Sequence, residues 1–333
     1  MPNLPEFLEN INSRFSRTGG AFEGTFRFNE PMADHTTFKV GGPADLWICP
    51  RGDTFPRYAA ALLENAGAAG IPVFILGGGA NLVVSDRGIR GIVLDTSGYG
   101  GSAEARGGLF FRAGTSLDEA VDEAADRGLS GLEFLAGMPG SVGGALFMNA
   151  RCYNREVSDV VTEAETLDRG ERVRITLKKE AFDYKRSPFQ GTGVLILGAL
   201  FSVEPEDPGV IRAEMEQHRR DRENKGHYRF PSAGSAFKNN RNFGKPTGQI
   251  IDELGLKGFS VGDAQVAPWH GNIIINRGRA RAEDIKKLME ELENRVAAER
   301  GLRLEPEIIF AGEGFGPLPA GAGGSGGPGG EGP

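Results

Sequence analysis

Apolar positions along this chain repeat in two rhythms, every second residue and every third or fourth, and their alternation predicts strands and helices in turn. Residues 44–48 read as a strand. Phe55, Ala59, Leu62 and Ala66 then share one helical face, behind a cap at Asp53 or Thr54. Residues 73–76 and 91–94 are short apolar runs of the kind found in buried strands. A second block opens with a strand from Leu109 to Arg112. Ser116 and Glu119 have capping-box spacing ahead of a helix that turns Leu117, Ala120, Val121 and Ala124 inward, and Gly128 stops it. Strands at 160–167, 172–176 and 194–203 follow, the first two joined by the turn Asp168-Arg169-Gly170.

Asp207-Pro208-Gly209 marks a boundary. Beyond it come a highly charged helix, a loop around Ser235, a short helix ending near Gly255 and a strand at 272–276. An amphipathic helix with Ile285, Leu288, Met289, Leu292 and Val296 inward precedes a last strand at 303–310. Residues 1–31 read as a polar lead-in. The tail, with almost nothing but Gly and Pro to bury, is expected to be disordered. No internal repeat stands out.

A length of 333 residues suits two or three domains. A net charge of −7 argues against a general nucleic-acid binder, while leaving room for a local basic pocket. Two cysteines, Cys49 and Cys152, fit a reducing compartment better than a disulfide scaffold. No apolar run approaches membrane-spanning length and no export pattern opens the chain, so a cytoplasmic location is expected. His35, His218, His227 and His270 lack metal-ligand spacing, so no metal is expected.

Three glycine-rich segments carry the candidate chemistry. Gly77, Gly78, Gly79, Ala80, Asn81 and Leu82 follow a strand and could cradle a phosphate through backbone N–H groups, although a tight turn is an equal reading. They are no dinucleotide fingerprint, because Leu82 stands where a third glycine belongs. Residues 137–144, with Gly137, Pro139, Gly140, Ser141, Gly143 and Gly144, suit close approach of backbone to a flat ligand such as a flavin, against the alternative of dense backbone packing. Lys39, Gly41, Gly42 and Pro43 form the third. The charges between Arg219 and Lys225 read mostly as a solvated helix face.

Taken in order, these segments, together with Pro231-Ser-Ala-Gly-Ser-Ala-Phe-Lys-Asn239 and Leu304-Glu-Pro-Glu307, resemble the UDP-N-acetylenolpyruvoylglucosamine reductase family over residues 36–312. The short span between Ser187 and Pro231 resembles its shorter, second subtype. The resemblance implies an α+β protein with an FAD-binding fold of the vanillyl-alcohol oxidase type. Two α/β subdomains (1–100 and 101–206) would hold FAD. A C-terminal α/β substrate-binding domain (207–312) would send its last strand back to the active site, ahead of the tail at 313–333.

The implied reaction reduces the enolpyruvyl sugar to UDP-N-acetylmuramate for peptidoglycan, with NADPH as reductant and UDP-N-acetylenolpyruvoylglucosamine as substrate. A bacterial monomer with no nucleic-acid or membrane partner is expected. Ser235 matches the family's proton donor, and Glu307 the acid that stabilises the intermediate, best as a neutral donor. The flavin segments and Asn149 would hold the cofactor; Tyr184, Lys225, Lys238 and Asn239 would hold substrate, Lys225 at its diphosphate.

Some positions depart from the family pattern. Tyr184-Lys-Arg-Ser187 puts Lys185 where the family has arginine and Arg186 one place on. Lysine lacks the bidentate fork, and on a strand the two neighbours would face opposite ways, with Lys185 favoured for the site. Ala80 replaces a frequent serine, and Arg151 and Cys152 interrupt a small-residue stretch. Two other readings remain: a flavin oxidase of the same fold, and a flavin- or UDP-sugar-binding protein without turnover.

Overall fold

The computed structural model describes residues 3–18 and 20–315; the tail expected to be disordered lies, from residue 316 on, outside the described residues. The supposed polar lead-in is regular structure, helix α1 (Leu4–Thr18) and strand β1 (Gly24–Pro31). Leu8, Ile11 and Phe15 of α1, spaced three and four apart, are buried against helix α2 (Phe55–Ala68). There the Phe15 ring meets Tyr58 edge-on at 5.2 Å. Strand β1 escapes a pattern reading because it is a sheet edge and leaves Phe26 and Phe28 exposed.

The first sheet has the order β1–β2–β5–β3, from β2 (Pro43–Pro50), β3 (Val73–Leu76) and β5 (Ile89–Asp95). β1 runs antiparallel to β2, and β2, β5 and β3 run parallel. One face packs on α1 and α2 through Leu46, Ile48, Ile92 and Leu94. Helix α2 does not use its expected cap. Thr54 is already helical in backbone and makes no capping bond, while the Asp53 carboxylate pairs with Arg112 at 2.6 Å. Pro56 suits the first turn instead, where its missing N–H costs nothing.

The second module is an antiparallel sheet, β9–β8–β10–β7–β6, built from β6 (Ser102–Ala105), β7 (Gly108–Arg112), β8 (Val161–Asp168), β9 (Glu171–Thr176) and β10 (Leu195–Phe201). Helix α3 (Leu117–Asp126) has the expected capping box: Glu119 N–H donates to Ser116 Oγ, and Glu119 accepts from the Ser116 backbone. Its four expected inward residues are buried. Helix α4 (Val142–Phe147) lies between α3 and the sheet. Asp207 caps α5 (Pro208–Asn224), and Ile211 and Met215 of that helix are buried in this second core.

In the third module, sheet β11–β14–β13–β12 comprises β11 (Ser232–Ser235), β12 (Ser260–Val261), β13 (Ala264–Val266) and β14 (Ile273–Asn276). Helices α6 (Thr247–Glu253) and α7 (Ala282–Arg300) cover it, and all five expected residues of α7 are buried. Phe38, Val40 and Val83 of the first module share this core, so the two are packed as one body of apolar side chains.

The expected strand at 303–310 is regular only over β15 (Ile309–Ala311). Pro306 has no N–H to give a ladder, but its neighbours still bond. Lys238 N–H donates to the Glu305 carbonyl and Glu307 N–H to the Ala236 carbonyl, each at 2.8 Å. β15 then pairs in parallel with β4 (Leu82–Val84). This segment therefore crosses from the third module to the first.

Candidate active site

A cavity of about 930 Å³ lies between the three modules, near the upper end of the roughly 300–1,000 Å³ usual for ligand sites. One wall is the turn after β3, residues 77–81, placed against residues 139–144. Gly78 shows why that turn is glycine-rich. A Cβ there would stand 2.6 Å from Gly140 Cα, closer than any real contact, so the two backbones touch. Ser141 ties them, its hydroxyl accepting from Gly78 N–H at 3.2 Å and from Gly144 N–H at 3.3 Å. This wall carries no charge. Asn81 donates through Nδ2 to the Glu307 carbonyl at 2.9 Å, while its buried Oδ1 has no partner among the described residues. A buried acceptor left open is costly unless a ligand donor fills it. A glycine cradle with such an acceptor suits a flat ligand that has both a ring and hydrogen-bonding edges, as FAD has.

The facing wall is charged. Ser235 ends β11, and Glu307 lies on the adjoining extended segment through its backbone bond to Ala236. Lys185 reaches Glu307 from the second module, Nζ to Oε1 at 2.6 Å, with only 14% and 11% of the two side chains exposed. All three line the cavity. Lys185 is not on a strand, as expected, but in a tight turn closed by reciprocal bonds between Asp183 and Arg186. Its φ of 58° is left-handed, an uncommon conformation for a residue with a side chain. Three side chains hold that turn: Asn149 Nδ2 on the Asp183 carbonyl (3.1 Å), Gln190 Nε2 on the Lys185 carbonyl (3.3 Å) and Ser187 Oγ on the Phe147 carbonyl (2.7 Å). Arg186 is exposed and is not among the residues that line the cavity.

Other expected site residues lie outside the lining. Lys39, exposed and left-handed at φ 57°, donates to the Asp34 carbonyl. Gly41, Gly42 and Pro43 pack on Met32 and on the turn at 85–88. A Cβ on Gly42 would lie 2.1 Å from the Asp86 carbonyl oxygen. Gly137 stands one layer back, its carbonyl accepting from Tyr228 Oη at 2.6 Å. Asn149 is wholly buried and acts through the Asp183 turn. Tyr184 Oη accepts from Asn239 N–H at 3.3 Å, which links the second and third modules. Lys238 is paired with Glu305.

The cavity also holds one residue that the sequence did point to, Lys225, and several that it did not. Lys225 lines the cavity, held at 2.7 Å by Asp221 and 5.8 Å from the Tyr153 ring centre. That contact holds the Asp221 carboxyl below its usual range. Within the charge run taken for a solvated face, Arg222 is buried, 2.9 Å from Cys152 Sγ. The spacing Ile211, Met215, His218, Arg222 is helical and was the available clue. Tyr153, His227, Tyr228, Arg229 and Phe230 also line the cavity. Burial, helped by the Arg222 charge, pushes His227 down to about 4.

Profile comparison matches residues 226–311 to the UDP-N-acetylenolpyruvoylglucosamine reductase C-terminal domain and residues 58–176 to an FAD binding domain. The UDP-N-acetylenolpyruvoylglucosamine reductase of Treponema denticola is 39% identical over 324 residues, covering 92% of this chain and 99% of that protein. The one of Treponema pallidum is 41% identical over 334 residues, covering 86% and 94%. The crystal structure of the Thermus caldophilus reductase superposes with a TM-score of 0.69 at 33% identity, covering 87% of this chain and 99% of that one.

Proposed function

The chain belongs to the UDP-N-acetylenolpyruvoylglucosamine reductase family, and from that we propose how its own residues carry the family's reaction. It is an FAD-dependent oxidoreductase that reduces UDP-N-acetylenolpyruvoylglucosamine in peptidoglycan precursor synthesis, with a nicotinamide nucleotide, NADPH, as reductant. Bound FAD, once reduced, supplies the hydride that adds to the enolpyruvyl β-carbon. In our reading the backbone of residues 77–82 and 140–144, with Ser141 and the open acceptor of Asn81, holds that cofactor.

Hydride addition builds negative charge on the α-carbon and its carboxylate, so the protein must neutralise charge and deliver a proton. Ser235 gives its hydroxyl proton to the α-carbon. Lys185 supplies the positive charge. Without substrate that ammonium is held by Glu307, and the pair is ionic, which is not the neutral donor the family role calls for. The substrate carboxylate resolves this by drawing Lys185 to itself. Glu307, 11% exposed and released from that pair, is then left to the donor role that the family assigns it. Lys225 meets the diphosphate at the exposed end of the same cavity.

The observation that carries this reading is the 2.6 Å contact between Lys185 and Glu307 on the cavity wall they share with Ser235. The test is NADPH oxidation by the flavin-loaded protein, with and without the enolpyruvyl sugar, in wild type and Lys185→Ala. Substrate-dependent oxidation falling about 10²- to 10³-fold in the variant is expected for loss of a charge at the reacting centre. Undiminished turnover would move the cationic role to another of the cations that line the cavity, which Arg186 does not.

The packing of Ile211 and Met215 supports counting α5 with the second flavin-holding module and starting the substrate module after it. Among the described residues no helix is long and apolar enough to cross a membrane. We take the protein as a monomer of the bacterial cytoplasm that needs no nucleic-acid partner, in keeping with its −7 charge.

A further inference from the structure

The cations around the cavity are not equivalent. Lys185 has Glu307, Lys225 has Asp221, and Arg151 lies 3.8 Å from Glu156. Arg222 is buried against Cys152 and Tyr153. Arg229 alone among these lining cations is exposed and, among the described residues, has no carboxylate within ion-pair distance. It is nevertheless held: its Cζ lies 5.2 Å from the centre of the Trp269 ring. Phe230, 40% exposed and also lining the cavity, stacks on Trp269 with centroids 6.1 Å apart and planes at 23°. Gly226, left-handed at φ 74°, lies so close to the indole that a Cβ would stand 2.5 Å from its Nε1. The turn bearing Arg229 and Phe230 is therefore seated on Trp269.

An aromatic face holds a guanidinium by its plane and leaves its N–H edge free, the edge that forks onto a phosphate. Both nucleotides of this enzyme must come to the open side of the glycine wall. The other cavity of note, lined by Phe7, Ile11, Arg14 and Asn65, touches none of those turns. The sugar nucleotide brings a carboxylate and a diphosphate, for which Lys185 and Lys225 are already placed in our reading. NADPH brings one more anion, the phosphomonoester on its adenosine ribose. Arg229 is the cation left over.

We propose that Arg229, set on Trp269 beside the Phe230 ring, reads the adenosine 2′-phosphate of NADPH and sets the preference for NADPH over NADH. Phe230 takes the adenine face. This rests on the reading above, in which both nucleotides use one cavity.

The test follows flavin reduction in the FAD-loaded protein at varied NADPH or NADH, for wild type, Arg229→Ala and Arg229→Lys. Losing one charge-assisted hydrogen-bonding group is expected to weaken NADPH about 10- to 100-fold, leave NADH within about 3-fold, and be partly restored by lysine. Adenosine 2′,5′-bisphosphate should compete with NADPH in wild type and lose that effect in Arg229→Ala, while ADP competes equally with both. Flavin absorbance shows whether each variant is folded and loaded. Equal losses for NADPH and NADH, no loss at all, or a rise in KM for the UDP-sugar instead would overturn the assignment. If neither nucleotide reduces the wild-type flavin, the reductase reading fails, and this assignment with it.

Discussion

On one side of the cavity stand the turns at 77–81 and 139–144; on the other stand Lys185, Ser235, Glu307 and Lys225. The first side offers backbone N–H groups, an open Asn81 acceptor and hardly a side chain, because its two strands of backbone touch. The second offers charges carried on long side chains from three separate parts of the chain. A wall of backbone is specified by what must be absent, and a single methyl group can ruin it. A wall of side chains is specified by what is present, so changing it should remove chemistry and leave the shape. The two walls ought therefore to fail in different ways.

Glu307→Gln is the strongest test of that difference. The carboxylate goes but its size stays, and the backbone bonds of residue 307 to Ala236 and Asn81 remain. We expect kcat to fall by about 10²- to 10³-fold, on the scale of losing one transition-state contact, with flavin content unchanged. Loss of flavin in this variant would show that the walls are not independent. Gly78→Ala probes the opposite side. Its Cβ would press on Gly140 and Ser141, which costs about 1–3 kcal/mol of overpacking. The measured outcome should be purified protein with little flavin and a lower Tm, and a variant that keeps full flavin and loses only turnover would break the comparison.

The smallest effect concerns pH. His227, on the charged side, is held down to about 4 by burial and then by the Arg222 charge. Between its ordinary value near 6.5 and 4 the unfolded chain binds the proton and the folded one does not, so stability should rise with pH across that window. Above 6.5 the contribution is complete; below 4 it is gone. Allowing for partial solvent screening, it amounts to about 1–2 kcal/mol. Thermal melts from pH 7 down to 4 should show wild type losing stability relative to His227→Gln, and parallel curves would remove His227 from the account.

The sequence was legible wherever a local rule acts alone. The Ser116–Glu119 box and the buried faces of α3 and α7 are each set by spacing within one helix. It was less legible where a rule says how close but not to what. The glycines at 41–42 and at 77–79 look alike in sequence, and both meet other backbone. One set packs on the turn at 85–88, the other faces the cavity. Gly137 and Asn149 likewise lie just behind the site, supporting Tyr228 and the Asp183 turn. The orientation of Lys185 was argued from strand alternation, whereas a left-handed turn decides it. Helix α1 was missed although Leu8, Ile11 and Phe15 carry its period, because polar residues fill most of that segment.

The crossing made by β15 has a consequence for how the protein comes into being. β4 stands directly after the glycine turn at 77–81, and among the described residues its strand partner is β15. Asn81, at the edge of that turn, is bonded to Glu307, 226 residues further along the chain. During synthesis the first module thus emerges with one of its strands unpaired and waits while the rest of the fold is translated. The cradle cannot close until residue 311 has left the ribosome. In our reading flavin loading is then a late event in the life of the molecule, and capture of the cofactor reports that the chain has been made and folded through residue 311.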